Sequence, residues 1–430
     1  MMHSTLISPQ WSLSKKYLFR FFFILLFLLI FLNNNGAFLY VQQLTFYPTK
    51  ILHQFIPWFS KTIVGYHYDY TIYTNGSGDT SYNYVLLLFL ILASLAGSII
   101  WSFLDYKREN YVKLYYWLIV LVRYYLAFTL ILYGSIKIIQ LQFPQPTLHR
   151  LLQPFGEASP MGLAWTFLGF SNGYNVFMGI IEVSAALLLF RRTMVIGAFI
   201  ALAASVNIMA INYFFDVPVK LLSTTLVVMS LFILAPYVNT IIKFFLFQGE
   251  PQQLSPLQPP SFPKKWHKIT FIAFKCLIIV WTVTVMVNNT LFQQNASGID
   301  ASKPPLYGIY NVDKYIINGR EVAPLVTDKD RWKQMVIEYK DFAAIRTMDG
   351  DNVYFNMLLN QKDKNLELNS ENLASAKYKF KYKFENDSTI IMSGTKNRDS
   401  VVIKLRKYNL KNFKLINRGF HWINEYPNNH

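Results

Sequence analysis

The sequence predicts an α-helical polytopic membrane bundle of about seven transmembrane helices, followed by a C-terminal all-β antiparallel barrel or sandwich. Three observations predict it. Hydrophobic residues make up 53% of the chain, aromatics 17% and charged residues only 15%, the balance of a membrane protein with a soluble appendage. Seven apolar segments precede Gly298. Beyond it, apolar and polar residues alternate in short runs, the period of half-buried strands.

Tyr17 to Leu32 is rich in Phe and Leu and interrupted only by Arg20. No small-residue cleavage site follows it, so it reads as an uncleaved first span, short at about 16 residues. Asn33 to Asn83 is a long loop; within it Phe46 to Ile63 has the mixed character of an interfacial helix or of an aromatic-rich loop. Tyr82 to Leu104 is the second span, closed by the charged turn Asp105 to Glu109. Spans three to six are Tyr115 to Ile139, Tyr174 to Phe190, Val195 to Phe215 and Leu221 to Ile242. Gln248 to Pro263 is a Gln- and Pro-rich linker, and Ile269 to Leu291 is the seventh span. The resulting layout is an N-terminal hairpin with an outer loop (1–114), a four-helix membrane domain (115–247), a linker (248–268), a last helix (269–292) and a β domain (301–430).

In the tail, strand runs include Gln334 to Glu338, Phe342 to Arg346, Val353 to Met357, Ile390 to Met392 and Val401 to Leu405. Lys377 to Phe384 puts four Lys on one face and Tyr or Phe on the other. Asp349-Gly350-Asp351-Asn352 signals a hairpin. Seven or eight short antiparallel strands are expected.

Charge sets the topology and limits the partners. Up to Gly298 there are 19 basic and 8 acidic residues, a net of +11; the remainder has 22 and 16, a net of +6. The basic residues of the helical part cluster at segment ends, which fits the positive-inside rule and anionic lipid rather than nucleic acid. Lys15-Lys16, Lys107-Arg108, Arg191-Arg192 and Lys264-Lys265 fall on one side when spans alternate. The N-terminus and the linker are therefore expected in the cytoplasm and the β domain outside. The single cysteine, Cys276, excludes an intrachain disulfide redox centre and a Cys zinc cluster. None of the seven histidines lies in an apolar segment, which argues against a bis-His haem, and no metal, phosphate-loop or nucleophile-elbow motif occurs.

The residues that invite chemistry are the charges at membrane depth, because such charges face a bundle interior or a wet cavity. They are Arg123, Lys137 and Glu182, joined by Asn207, Asp216 and Lys220. Arg123 and Glu182 each lie eight residues from the cytoplasmic ends of their segments, roughly 12 Å deep, so they are expected to face each other as an ion pair. Gly179 and Ala185-Ala186 give Glu182 a small-residue face for close helix approach. Lys137, Asp216, Lys220, His149, Arg150 and Glu157 can rim an outward cavity roofed by Leu148 to Leu168. For each group the alternative is structural: a pair that pins helix register, or charges that snorkel to the interface. In the β domain, Arg418, His421, Trp422 and Glu425 belong to a polar and aromatic chain end that either lines a binding mouth or docks onto the barrel, docking being the expected role.

Four motifs carry a resemblance. Arg123-Tyr-Tyr-Leu-Ala-Phe128, Tyr133-Gly-Ser-Ile-Lys137, Gly179-Ile-Ile-Glu182 with Leu187-Leu-Leu-Phe-Arg191, and Phe215-Asp-Val-Pro-Val-Lys220 resemble the DoxX-like family of four-helix membrane proteins. The resemblance covers about 120 residues, and the helical part is more distantly similar to vitamin-K-dependent carboxylase-like membrane domains. It implies a DoxX-like four-helix core in a bacterial inner membrane, with the β domain periplasmic. It also implies a small lipophilic ligand such as a quinone between spans three to six, in the membrane subunit of a redox system. The competing expectation is a non-enzymatic scaffold whose outer β domain docks an envelope partner; under both, membrane lipid is the surrounding partner.

Overall fold

A computed structural model describes residues 10–67, 78–247, 264–298, 301–370 and 377–426. The linker expected over 248–263 lies outside the described residues. The chain forms two compact units: Met1–Pro144 with Ser159–Ile299, and Gln145–Ala158 with Asp300–His430.

In chain order the helices are α1 (Leu13–Leu32), α2 (Val41–Leu44), α3 (Phe46–Phe59), α4 (Ser81–Leu104), α5 (Val112–Ile138), α6 (Leu148–Leu152), α7 (Pro160–Phe170), α8 (Asn172–Val183), α9 (Met194–Phe214), α10 (Lys220–Leu234), α11 (Val238–Leu246), α12 (Lys265–Ser297) and α13 (Lys414–Asn417). All except α6 and α13 lie in the first unit. Among the described residues six helices are long and apolar enough to cross a membrane: α4, α5, the run Asn172–Leu189, α9, the run Lys220–Leu246 and α12. This is one fewer than the seven expected. Helix α1 forms but is not among the six, because Lys15, Lys16 and Arg20 crowd its first eight residues. Two of these charges bond into the turn between α4 and α5. Lys16 Nζ donates to the Arg108 carbonyl at 3.1 Å, and Arg20 donates to the Tyr111 hydroxyl at 2.8 Å and Ser102 Oγ at 2.7 Å.

The long central helix α5 has a strongly buried middle, where Val122, Leu126, Ala127 and Leu130 are sealed. Helix α8 ends at Val183 and continues as a 3-10 turn, Ser184–Leu189. The stretch 46–63, which suits either an interfacial helix or a loop, is helical over α3 and runs on into the π-helical turn Ser60–Val64.

Among the described residues the second unit holds nine strands: β1 (Gly308–Ile317), β2 (Arg320–Glu321), β3 (Trp332–Ile337), β4 (Phe342–Thr347), β5 (Asn352–Asn360), β6 (Asn365–Ser370), β7 (Lys377–Asn386), β8 (Thr389–Lys396) and β9 (Asp399–Lys407). All pairings are antiparallel, and β1 also pairs with β9, so eight strands close into a barrel with the two-residue β2 appended. Closure decides barrel over sandwich and leaves no long edge unpaired. Strand β7 alternates as its sequence demands: Tyr378, Phe380 and Tyr382 enter the core while the lysines stay outside. Trp332, Tyr315, Phe355 and Met335 fill the interior.

Leu148 to Leu168 does not form one roof. Its first part, α6, packs with the barrel, where Leu148 joins Ile309, Val336 and Ala344 in a buried cluster. Glu338 receives the Leu148 amide at 2.7 Å, and Arg346 donates to the Leu152 carbonyl at 3.1 Å. Its second part, α7, belongs to the helical unit.

Candidate functional site

Two glycines organise the site. A Cβ on Gly134 of α5 would meet the Gly179 carbonyl of α8 at 2.7 Å, and one on Gly179 would meet the Gly134 carbonyl at 2.6 Å. The two backbones therefore touch, as small residues permit in membrane helices. Lys137 and Glu182 each lie three residues C-terminal to their glycine. Helical side chains lean toward the N-terminus of their own helix, so in this antiparallel pair the two lean toward each other over the crossing. Lys137 Nζ donates to Glu182 Oε2 at 2.8 Å, with side chains only 6% and 5% exposed. The ammonium also sits 5.7 Å from the Phe143 ring centroid and 5.9 Å from that of Tyr133.

This pair faces a cavity of about 940 Å³ within the helical unit. One wall is apolar, with Met161, Trp165, Phe177, Met178 and Ile181. Asn207 and Asn212 of α9 face it, and α3 adds Lys50 and His53. The His53 ring packs edge-on against Tyr82 at 5.3 Å, and burial holds its pKa below the ordinary imidazole value. Asp79 also lines the cavity; its carboxylate receives the Lys220 and Leu221 amides and so caps α10. The cavity can hold a molecule that is mostly apolar and carries a few hydrogen-bonding groups.

Of the residues singled out in the sequence, Lys137, Glu182 and Asn207 line this cavity, while Arg123, Asp216 and Lys220 do not. The expected Arg123–Glu182 pair does not form; the partner of Glu182 is Lys137. The spans are not flush. Arg123, eleven residues into α5, donates to the Leu189 carbonyl at the very end of the 3-10 turn, so the hairpin of α8 and α9 stops roughly 16 Å short of the start of α5. Asp216 and Lys220 pair with each other at 2.9 Å at the end of α9, with Asp216 84% exposed. His149, Arg150 and Glu157 belong to the β unit. Lys50, His53 and Asp79 were not singled out: Lys50 and His53 lie in the stretch that suits an interfacial helix or a loop, and Asp79 in the loop beyond it.

In the β unit, Arg418, His421, Trp422 and Glu425 are exposed, and Trp422 is 91% so. The chain end is therefore not docked onto the barrel as expected. Its contacts are local: Arg418 donates to the Asn424 side chain, and His421 Nδ1 bonds the Gly419 carbonyl at 2.8 Å. A cavity of about 400 Å³ lined by Tyr307, Tyr310, Ser388 and Lys407 does not include these residues.

Over 116 residues the chain is 43% identical to Uncharacterized protein YwoB of Bacillus subtilis (strain 168), an alignment covering 26% of this chain and 71% of that protein. The chain belongs to the YwoB family. The relative's name assigns no ligand or reaction, so the YwoB family brings kinship without chemistry. No protein-family model matches the chain, and no solved structure does.

Proposed function

We propose that the helical unit is a multi-pass, DoxX-like membrane protein that binds a small lipophilic molecule of the quinone type beside Lys137 and Glu182, as the membrane subunit of a redox system. The observation that carries this reading is the buried Lys137–Glu182 pair set into a largely apolar cavity of about 940 Å³. A ligand carbonyl would accept from Lys137, a ligand hydroxyl would donate to Glu182, and Asn207 offers both kinds of group. Ionisable groups at membrane depth mark ligand or proton pathways by default. With one cysteine in the chain, redox chemistry resides in the bound molecule or in a partner.

The topology in this reading is a bacterial inner membrane with the barrel in the periplasm. The turns holding Lys107-Arg108 and Arg191-Arg192 and the stretch Lys264-Lys265 lie on one side of six alternating spans, and the barrel follows the last span on the other. Counting α1 as a span does not change that side.

The test uses full-length protein in mild detergent, with its small molecules extracted and weighed by mass spectrometry. Wild type carries a stoichiometric lipophilic molecule; Glu182→Gln and Asn207→Ala, each shown to be folded, lose it. Bulk lipid alone in all three would refute the reading.

A second reading has its own support. Phe420, Trp422, Ile423 and Tyr426 are all at least 75% exposed, the profile of a docking surface. In this reading the protein is a non-enzymatic scaffold whose barrel docks an envelope protein. A photo-crosslinker at position 422 then captures one defined protein, and Glu182→Gln changes stability only.

A further inference from the structure

Four cations of the helical unit are buried among the described residues: Lys16, Arg20, Arg123 and Lys137. Three have close oxygen partners, a carbonyl for Lys16, two hydroxyls for Arg20 and a carboxylate for Lys137. Arg123 differs. It is 4% exposed, yet its contacts are the Met194 sulfur at 3.5 Å and the Leu189 carbonyl at 3.4 Å, and its Nε has no partner. Among the described residues Arg123 has no counter-charge; a buried guanidinium so placed is costly, and a bound anion removes that cost.

The surroundings suit an anion. The Arg123 guanidinium lies 6.0 Å from the Tyr124 ring centroid, and Lys275 Nζ of α12 lies 5.8 Å from the same ring. Helix α12 is held against α5 by the edge-on Trp117–Phe271 contact at 6.1 Å. Tyr116, Tyr124, Tyr237 and Arg191 lie around Arg123, and among the described residues no carboxylate belongs to the groups that act on it. Arg191 lies in the turn that ends the short α8–α9 hairpin, level with Arg123. The result is a basic, tyrosine-lined step against α5 beside that turn.

We propose that Arg123 and Lys275, with Arg191 at the rim, bind a phosphate-bearing anion, the headgroup of an acidic phospholipid. Arginine offers a planar fork that grips two phosphate oxygens, and basic recesses between membrane helices hold acidic headgroups. The site is separate from the cavity at Lys137 and Glu182, which does not include Arg123.

The test is native mass spectrometry of the full chain in mild detergent, titrated with short-chain phosphatidylglycerol and, separately, with inorganic phosphate. Lys275→Gln lies on a sparsely buried helix and leaves the fold intact; Arg123→Met keeps volume and removes charge; Arg123→Lys restores the charge. Lipid binding falls about tenfold or more in Arg123→Met, several-fold in Lys275→Gln, and returns largely in Arg123→Lys, as expected when charge-assisted hydrogen bonds are lost. If inorganic phosphate instead shows this variant dependence and the lipid does not, the site stands and its occupant is a free anion. Equal binding of both probes across wild type and Lys275→Gln overturns the proposal, as does an Arg123→Met protein of raised thermal stability with unchanged lipid binding.

Discussion

Replacing Lys137 by Met strands a carboxylate inside the helical unit. At 2.8 Å the Lys137–Glu182 attraction is about 6 kcal/mol for an effective dielectric constant of about 20. Withdrawing each ion from water opposes it by several kcal/mol, so the intact pair adds little net stability. Removing one partner is different, because the other charge stays buried; the expected loss is about 3–5 kcal/mol. Met in place of both residues restores most of that loss, since no charge remains to be desolvated. The assay is a double-mutant cycle on unfolding in mild-detergent micelles, followed by far-ultraviolet circular dichroism with wild type, Lys137→Met, Glu182→Met and the double variant. A coupling of at least about 3 kcal/mol is expected. Additive single effects would refute the argument that the two charges stabilise one another.

Three further outcomes follow from the geometry. Gly134→Ala drives a methyl to 2.7 Å from the Gly179 carbonyl, so the α5–α8 crossing must open, lowering stability by about 1–3 kcal/mol and loosening ligand retention; thermal unfolding checks the first and mass spectrometry the second. Asp79→Ala uncaps α10 at the Lys220 and Leu221 amides and costs about 0.5–2 kcal/mol, visible as faster hydrogen exchange at those amides. Burial lowers the His53 pKa in the folded protein, so the neutral ring is favoured there: its contribution to stability is present above about pH 6.5 and is lost as pH falls through the lowered value. Melting temperatures at pH 7.5 and 5.0 should therefore fall further in wild type than in His53→Gln.

Much of the fold was legible because periodicity and burial agree. The apolar segments at 82–104, 115–139 and 195–215 coincide with α4, α5 and α9 to within three residues, 174–190 matches α8 with its 3-10 continuation, and 269–291 lies inside the longer α12. Lys377 to Phe384 announces β7, and Asp349-Gly350 sits in the β4–β5 turn, where the Thr347 amide donates to the Asp351 carbonyl at 2.9 Å. Strands β1, β2 and β6 are not among the runs picked out in the sequence; in β1 a bulge between Val312 and Lys314 breaks the alternation. The site was less legible. Lys137, Glu182 and Asn207 stand out as polar groups in apolar runs, but which charges pair depends on how far antiparallel helices are offset. That offset is set by the Gly134–Gly179 contact, not by distance from the segment ends. The long-range partnerships of Asp79 with α10 and of Glu338 with α6 leave no local signature.

The most direct measurement is the mass of what co-purifies with the full chain. One lipophilic molecule per chain is expected in wild type and none in folded Glu182→Gln. Equal amounts in both proteins, or nothing beyond bulk lipid in either, would contradict it.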